Sequence, residues 1–599
     1  MSISGTIGTG IFISTSCDCH IFVTKGLECP VSFLFDFAEG PGGVFLAYLL
    51  TSTIVYSTST SSAEMMAHMP NVGGLIGLAD VYVDPALGFA MGWGWSCQLP
   101  SPAAAYLLNA LFYCLIAVFL FTAVTINCLS ARRIGAIHVA FATLKLATLA
   151  SLVLAALIVD WTPVPACNTW PAPEFCPNFN QTLSSSLHCV PSLRDHDRVT
   201  IGGTYWNCPG PFGRPYGIKG AGGALLGVVH VLIQSMYSFD GVELGIMVGR
   251  EVKNSTKNIP RAVRHAWLRI TALYLSAVLA AGLVIPSNHP NLKLSPKIDG
   301  APWIIVFATA RTSPVPKYIL TVLFALSTLG TASTNIFVSS RFLFFLARRG
   351  HAPSVVGSLY KSKTSQPVLP TDGWQQQQQH ETSKSLLSLN EKSSPAQSEV
   401  VVPWVAVLCG GTLALLMFMT PLTATDEQMN TAFLFFIHMT QCASLGGRIA
   451  AQITYLRFYY GTEHARRQDP GFQQRHQQSL YANRAWGQPW LAIYGLTWCI
   501  VILLFQGWSV FTTPGFMRIA QLHNEPPITS NPEIGGFATA FTLAYTPIGL
   551  FLMLYFGYKL VYQTSVVAIE DMRFARGHVP QAVEPAPTTL WEKTRALIL

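Results

Sequence analysis

"SFDGVELG", residues 238–245, lies inside a stretch that otherwise reads as a membrane span. "GALLGVVHVLIQSMY" (223–237) precedes it, and "IMVG" (246–249) leads from it into the charged run "REVKNSTKNIPR" (250–261). Charged side chains are costly in the bilayer, and glycine weakens a helix. Here two acids, Asp240 and Glu243, flank Gly241. The consistent reading is a helix that stops at mid-depth. Glycine tolerates backbone angles closed to other residues. The backbone groups freed by the stop must then line a cavity or meet protein partners, because lipid offers none.

Composition agrees with a membrane setting. Of 599 residues, 50% are hydrophobic and 11% charged, against about 25% charged in ordinary soluble domains. The 14 Trp suit interfacial belts. The net charge of +8 does not form a basic patch interleaved with aromatics, so nucleic-acid binding is excluded. Runs of about 20 apolar residues give twelve candidate spans: 3–16, 42–66, 86–108, 109–130, 135–158, 221–248, 266–286, 316–346, 402–420, 430–457, 489–510 and 537–561. The "MSISGTIGTGIF" start has no basic region or cleavage site, so no signal peptide is read.

Basic residues cluster in alternate loops: "SARRIG" (130–135), the run from Arg250, "RFLFFLARRGHAP" (341–353), "RFYYGTEHARRQDPGFQQRHQ" (457–477) and "DMRFARGH" (571–578). By the positive-inside rule these share the cytoplasmic side, and with twelve spans both termini are cytoplasmic. Residues 159–220 then form a long extracytoplasmic loop with Cys167, Cys176, Cys189, Cys208 and the sequon Asn180-Gln181-Thr182. Residues 360–399, rich in Gln and Ser, read as a disordered cytoplasmic loop, and 571–599 as a cytoplasmic tail.

A second interruption stands at "SGTIGTGIF" (4–12). Each interruption opens a set of five spans, over residues 3–158 and 221–458, with two further helices over 489–561. Glycine-broken helices at matching places in two halves point to a transporter binding site. Five being odd, the second half sits inverted. A zwitterionic amino acid suits two such breaks, its carboxylate on helix N-terminal N–H groups and its ammonium on freed carbonyls. The spacing Gly5-x-x-Gly8-x-Gly10 is not that of a nucleotide loop and follows no strand. Small-residue helix packing is the alternative for one glycine cluster alone; the second break favours the site.

"GTIGTGIF" (5–12), "AEMMAHMPNVGG" (63–74), "YSFDGVELG" (237–245), "GREVKNSTKNIPRAV" (249–263), "SSRFLFFLARRGHAP" (339–353) and "AIYGLTWCIVILLFQGWSVF" (492–511) together resemble a fungal amino-acid permease of the amino acid–polyamine–organocation superfamily. The resemblance covers most of the chain, with a permease domain over 1–570. It implies an all-α integral membrane protein with a LeuT-type 5+5 inverted repeat and discontinuous helices 1 and 6. It also implies a plasma-membrane importer of amino acids driven by protons. An exchanger without proton coupling and a non-transporting sensor remain alternatives. The resemblance places Thr9 and Gly10, with Thr6 and Gly8 beside them, at the substrate carboxylate. Ser238, Phe239 and Asp240, around Gly241, would offer carbonyls to the ammonium, and Tyr237 matches an aromatic gate. The chain departs from the family pattern over 17–37, where the first span normally continues.

Four ionisable residues in or at spans carry further expectations. Glu243 matches the acid of the family's F-x-G-x-E pattern; it either hydrogen-bonds the unwound backbone or carries a proton. Asp240 either senses a cationic side chain or faces a neighbouring helix or water. Glu64, in "SSAEMMAHMP" (61–70), is either an interfacial helix-end residue or a gate. Lys145 lies mid-span in "AFATLKLATLASL" (140–152). In sodium-independent relatives a lysine on the fifth span stands in for a sodium ion, which implies a proton-coupling role; a snorkelling lysine is the alternative. His138 and His230 read as structural. No spacing suggests a metal, cofactor or nucleophilic triad.

Overall fold

The computed structural model describes residues 40–96 (except 71), 110–165 (except 130), 198–243 (except 208–209 and 213–219), 246, 255–289 (except 288), 302–310, 315–363 (except 359), 399–414, 426–508 (except 478–479) and 532–574 (except 573). The first span, with Thr6, Gly8, Thr9 and Gly10, lies outside the described residues, as do the sequon and the loop cysteines.

The described chain is predominantly helical: α1 Pro41–His68, α2 Gly74–Tyr82, α3 Pro85–Ser96, α4 Ala110–Asn127, α5 Ala131–Trp161, α6 Ala221–Ser238, α7 Ser255–Val284, α8 Pro302–Thr309, α9 Val315–Arg348, α10 Trp404–Ala414, α11 Asp426–Gln468, α12 Phe472–His476, α13 Trp490–Phe505 and α14 Pro532–Tyr562. Among the described residues, Arg133–Trp161, Ala221–Ser238, Thr256–Val284 and Tyr318–Arg348 are long and apolar enough to cross a membrane. Val139, Leu154 and Ile158 on α5 and Tyr318, Ile319 and Val322 on α9 are well exposed. Such faces suit lipid better than water, and the chain is a multi-pass membrane protein.

Two helices outrun their predicted spans by eleven residues at one end. α7 begins eleven residues before 266, and α11 runs eleven residues beyond 457. Both extensions are charged, "STKNIPRAVRH" (255–265) and "FYYGTEHARRQ" (458–468), so a search for apolar runs stops short of them. At 1.5 Å per residue, the 43 residues of α11 reach about 65 Å, roughly twice the hydrocarbon core.

α1 packs against α6, α7, α11 and α13. Its buried face is unusually rich in small hydroxyl residues: Thr51, Ser52, Ser57, Thr58, Ser59, Ser61 and Ser62. They bond across helices, Thr51 with the Ser235 hydroxyl at 2.5 Å and Ser57 to the Leu491 carbonyl at 2.5 Å. Interhelical hydrogen bonds and close approach of small residues, rather than hydrophobicity, hold helices together in lipid. At Gly447 of α11 an added Cβ would meet the Trp95 ring of α3 at 2.4 Å, so no larger residue fits without a shift.

Among the described residues, the two largest hydrophobic cores are distinct. One gathers Val44, Tyr48, Leu149, Leu232, Phe239, Tyr274 and Trp303; the other gathers Met65, Leu75, Tyr82, Met91, Phe337, Tyr455 and Phe458. Phe239 and Val242 belong to the first and Ile246 to the second.

Elsewhere the polar segments have more order than composition suggests. The long loop is closed at its base by an antiparallel pair, β1 Val164–Pro165 with β2 Arg198–Val199. β3 Tyr360–Lys363 pairs with β4 Glu399–Val402, setting Lys363 opposite Glu399. The ends of the segment read as disordered thus form a ribbon, favoured by the β-branched run Val400–Val402; residues 364–398 lie outside the described residues. The C-terminal chain after α14 also packs: the Val567 N–H donates to the Val83 carbonyl at 2.9 Å, and Met572 and Phe574 join the second core. The tail expected to start at 571 is therefore seated as far as Phe574.

Candidate binding site at the helix break

α6 ends at Ser238, and residues 239–243 turn away from the helix axis. Gly241 has φ +100°, a conformation L side chains resist, and this permits the turn. The chain does not leave its freed groups bare. The Ser238 carbonyl accepts from Tyr274 Oη of α7 at 3.0 Å. The Phe239 carbonyl accepts from Arg448 Nη2 of α11 at 3.2 Å. Ser238 Oγ also pairs with Tyr48 Oη of α1 at 3.0 Å. Each carbonyl keeps a second lone pair. Of the three carbonyls expected to meet an ammonium, those of Ser238 and Phe239 are thus already held by neighbouring helices.

Arg448 organises the site. Its side chain is 1% exposed. Nε stands 3.3 Å from Glu243 Oε1, and Nη2 stands 3.7 Å from Asp240 Oδ1. Glu243 Oε1 also accepts from the Thr58 hydroxyl of α1 at 3.0 Å, and Asp240 Oδ1 from the Ser444 hydroxyl of α11 at 2.6 Å. A buried charge is tolerable only when paired and hydrogen-bonded. Here one guanidinium faces two carboxylates, and two hydroxyls share the load. Tyr237, Asp240, Gln441, Ser444 and Arg448, with Met236 and Leu445, line a cleft of about 10 Å³, room for one water molecule. Gln441 is itself bonded to Gln234 at 3.4 Å and to Gln506 at 3.3 Å.

The other expected residues lie apart from this cluster. Lys145 is buried on α5, and its Nζ donates to Thr331 Oγ1 of α9 at 2.8 Å. His138, one helical stretch away, pairs through Nδ1 with the Thr334 hydroxyl at 3.2 Å. Glu64 is buried near the end of α1. Its Oε2 accepts from the Ala485 N–H at 3.3 Å, and Oε1 stands 3.7 Å from Arg484 Nε. Arg484 in turn pairs with Glu463 at 3.0 Å and lies over the Tyr459 ring at 4.4 Å. Glu64 thus ties α1 to α11 and the link before α13, away from Asp240 and Glu243.

The sequence reading missed Arg448, Thr58, Ser444, Tyr48 and Tyr274. Arg448 had a signal: it is a lone arginine in the apolar run "CASLGGRIAAQI", and intramembrane ionisable residues are functional by default. The hydroxyl groups had none, because serine and threonine are ordinary in membrane helices.

A family model described as amino acid permease matches residues 37–367. An uncharacterized amino-acid permease of Schizosaccharomyces pombe is 23% identical over 96% of this chain and 90% of its own length. The proline-specific permease of Saccharomyces cerevisiae is 23% identical over 94% of this chain and 74% of its own length. The lysine-specific permease LysP of Escherichia coli is 24% identical over 96% of this chain and 94% of its own length.

Proposed function

Since the chain belongs to the amino acid permease family and so carries amino acids across a membrane, we propose that it imports them at the plasma membrane with protons, by alternating access around the interrupted helix. The single observation that carries this reading is the break after Ser238, where the Ser238 and Phe239 carbonyls are held by Tyr274 and Arg448 and Arg448 stands against Asp240 and Glu243. A substrate ammonium would meet the carbonyls of Ser238, Phe239 and Asp240 at the break. Its carboxylate would lie on the N–H groups of residues 6–10, with Thr6, Gly8, Thr9 and Gly10 forming the cradle. The cleft has room only for water as it stands, so loading requires α6 and α11 to part, and closure behind the substrate follows when they return.

Proton coupling is assigned to Lys145. A lysine buried between α5 and α9 can gain and lose a proton as water reaches it from alternate sides. With the outside more acidic than the cytoplasm, the inward flow of protons then drives entry. The names of the relatives, which include proline-specific and lysine-specific permeases, leave the family compatible with very different side chains.

The test is uptake of labelled amino acids by a permease-deficient yeast expressing this chain at its surface, with and without an uncoupler. Accumulation abolished by the uncoupler is the expected result. Uptake indifferent to the uncoupler removes the proton. No uptake of any amino acid by correctly placed protein removes the transport reading for this chain.

A further inference from the structure

Arg448 Nη1 is buried and has no hydrogen-bond partner among the described residues. Leaving a buried charged donor unpaired is costly, and Arg448 lines the cleft beside the break. Of its neighbours there, Asp240 Oδ1 is an acceptor already used once, by Ser444, and its side chain is 28% exposed. Two residues lining the cleft therefore have hydrogen-bonding capacity to spare: Arg448, through its buried and unpartnered Nη1, and Asp240, through its carboxylate.

We infer that the side-chain end of this site selects a neutral amino acid bearing a carboxamide, its oxygen on Arg448 Nη1 and its nitrogen donating to Asp240. The inference rests on the transport reading above and names its substrate class.

The alternatives fail on charge. A cationic side chain drawn to Asp240 comes against the Arg448 guanidinium, whose Nη2 is 3.7 Å from the same carboxylate. An anionic side chain drawn to Nη1 meets Asp240 and Glu243, both already sharing that single guanidinium. A hydrocarbon leaves Nη1 unpaired and strips water from Asp240. A carboxamide presents an acceptor and two donors in one plane and adds no charge. Met236 and Leu445 supply apolar wall for the methylenes that carry it. A site built to hydrogen-bond a polar group rejects analogues lacking it far more strongly than an apolar pocket rejects an extra methylene.

The full-length chain in proteoliposomes is the test, with initial uptake of labelled glutamine, glutamate, lysine and leucine measured separately. Glutamine is expected to exceed each of the others by about tenfold or more in kcat/KM. Asp240→Asn should then raise the glutamate-to-glutamine ratio by about tenfold, and Arg448→Gln should raise the lysine-to-glutamine ratio similarly. Arg448→Lys keeps the charge and loses Nη1; it covers the case in which Arg448→Gln fails to fold, and it should abolish the preference for glutamine over leucine. Transport led by glutamate, lysine or leucine overturns the inference and leaves the transport reading standing. Ratios that stay constant while all uptake falls assign Arg448 and Asp240 a purely structural role and overturn it too. Absence of uptake for every amino acid removes both readings together.

Discussion

Arg448 on α11 donates to the main-chain carbonyl of Phe239, 3.2 Å away, on the turn that ends α6. The same side chain stands 3.3 Å from Glu243, four residues further along the broken segment. One guanidinium therefore caps a freed backbone group and neutralises the acid that follows it. Removing one partner of a buried ion pair typically destabilises by about 3–5 kcal/mol, since the other charge is left stranded. The turn, its acids and α11 thus form one mechanical unit, and α1 joins it through Thr58.

Thr58→Val tests that last link. The hydroxyl donates to Glu243 Oε1 at 3.0 Å, and valine keeps its shape without the donor. A hydrogen bond to a charged group contributes about 1.5–3 kcal/mol. The melting temperature of the detergent-solubilised variant should fall accordingly, with Thr58→Ser restoring most of the loss. Equal melting of Thr58→Val and the unmutated chain would show that Arg448 alone satisfies Glu243.

Gly241→Ala probes the turn itself. At φ +100° a Cβ adds strain of about 1–2 kcal/mol. The variant should melt lower and bind transported amino acid more weakly, because any relaxation of φ moves the Phe239 and Asp240 groups off Arg448. Isothermal titration against the best-transported amino acid reads the second effect. Unchanged affinity would mean that the backbone at 239–241 does not touch the substrate.

How far the sequence foretold this depended on the kind of signal. The interruption at 238–243 was legible because a glycine between two acids in an apolar run conflicts with a continuous membrane helix. The short helices α2 and α8 were not, since a window of about 20 residues averages them away. The charged ends of α7 and α11 were invisible for the opposite reason: they are helical but not apolar. The seated segment after α14 holds its place through Val567, Met572 and Phe574, and single apolar residues in a polar tail carry no periodicity. Arg448 was not legible because arginines in this chain mostly mark cytoplasmic loop ends, whereas a lone one at mid-span has its meaning only from the acids that fold against it.

His351 should make one end of the molecule acid-sensitive. It follows α9 outside the predicted span, with its ring edge-on to Phe89 and Tyr558 at 5.9 and 5.2 Å and Nδ1 3.2 Å from Tyr558 Oη. Burial, with help from the neighbouring Arg349, pushes its pKa down to about 4, against about 6.5 when free. A depressed histidine pKa means the folded state prefers the neutral ring. Its contribution is present above about pH 6.5, declines as the pH falls below that, and is exhausted near pH 4. Melting temperature measured across that window should drop with acidity, and His351→Gln should flatten the drop. An identical pH profile for both proteins would place the acid sensitivity elsewhere.

Lys145 carries the sharpest prediction about energy coupling. It is buried on α5 with Nζ 2.8 Å from Thr331 Oγ1 on α9, and Gly330 beside it is so close that an added Cβ would stand 3.3 Å from Lys145 Cε. Methionine has nearly the same length and no proton to exchange, so Lys145→Met should fold and still bind amino acid. Its uptake into proteoliposomes should no longer respond to an imposed pH gradient, while exchange between equal amino-acid pools on the two sides continues. Thr331→Val leaves the ammonium in place without this acceptor; there the response to the gradient should persist with its midpoint displaced. If Lys145→Met still concentrates amino acid when the outside is made acidic, the coupling proton travels on another group. Glu243, paired with Arg448 and Thr58 at the break, becomes the residue to neutralise next, through Glu243→Gln assayed in the same gradient.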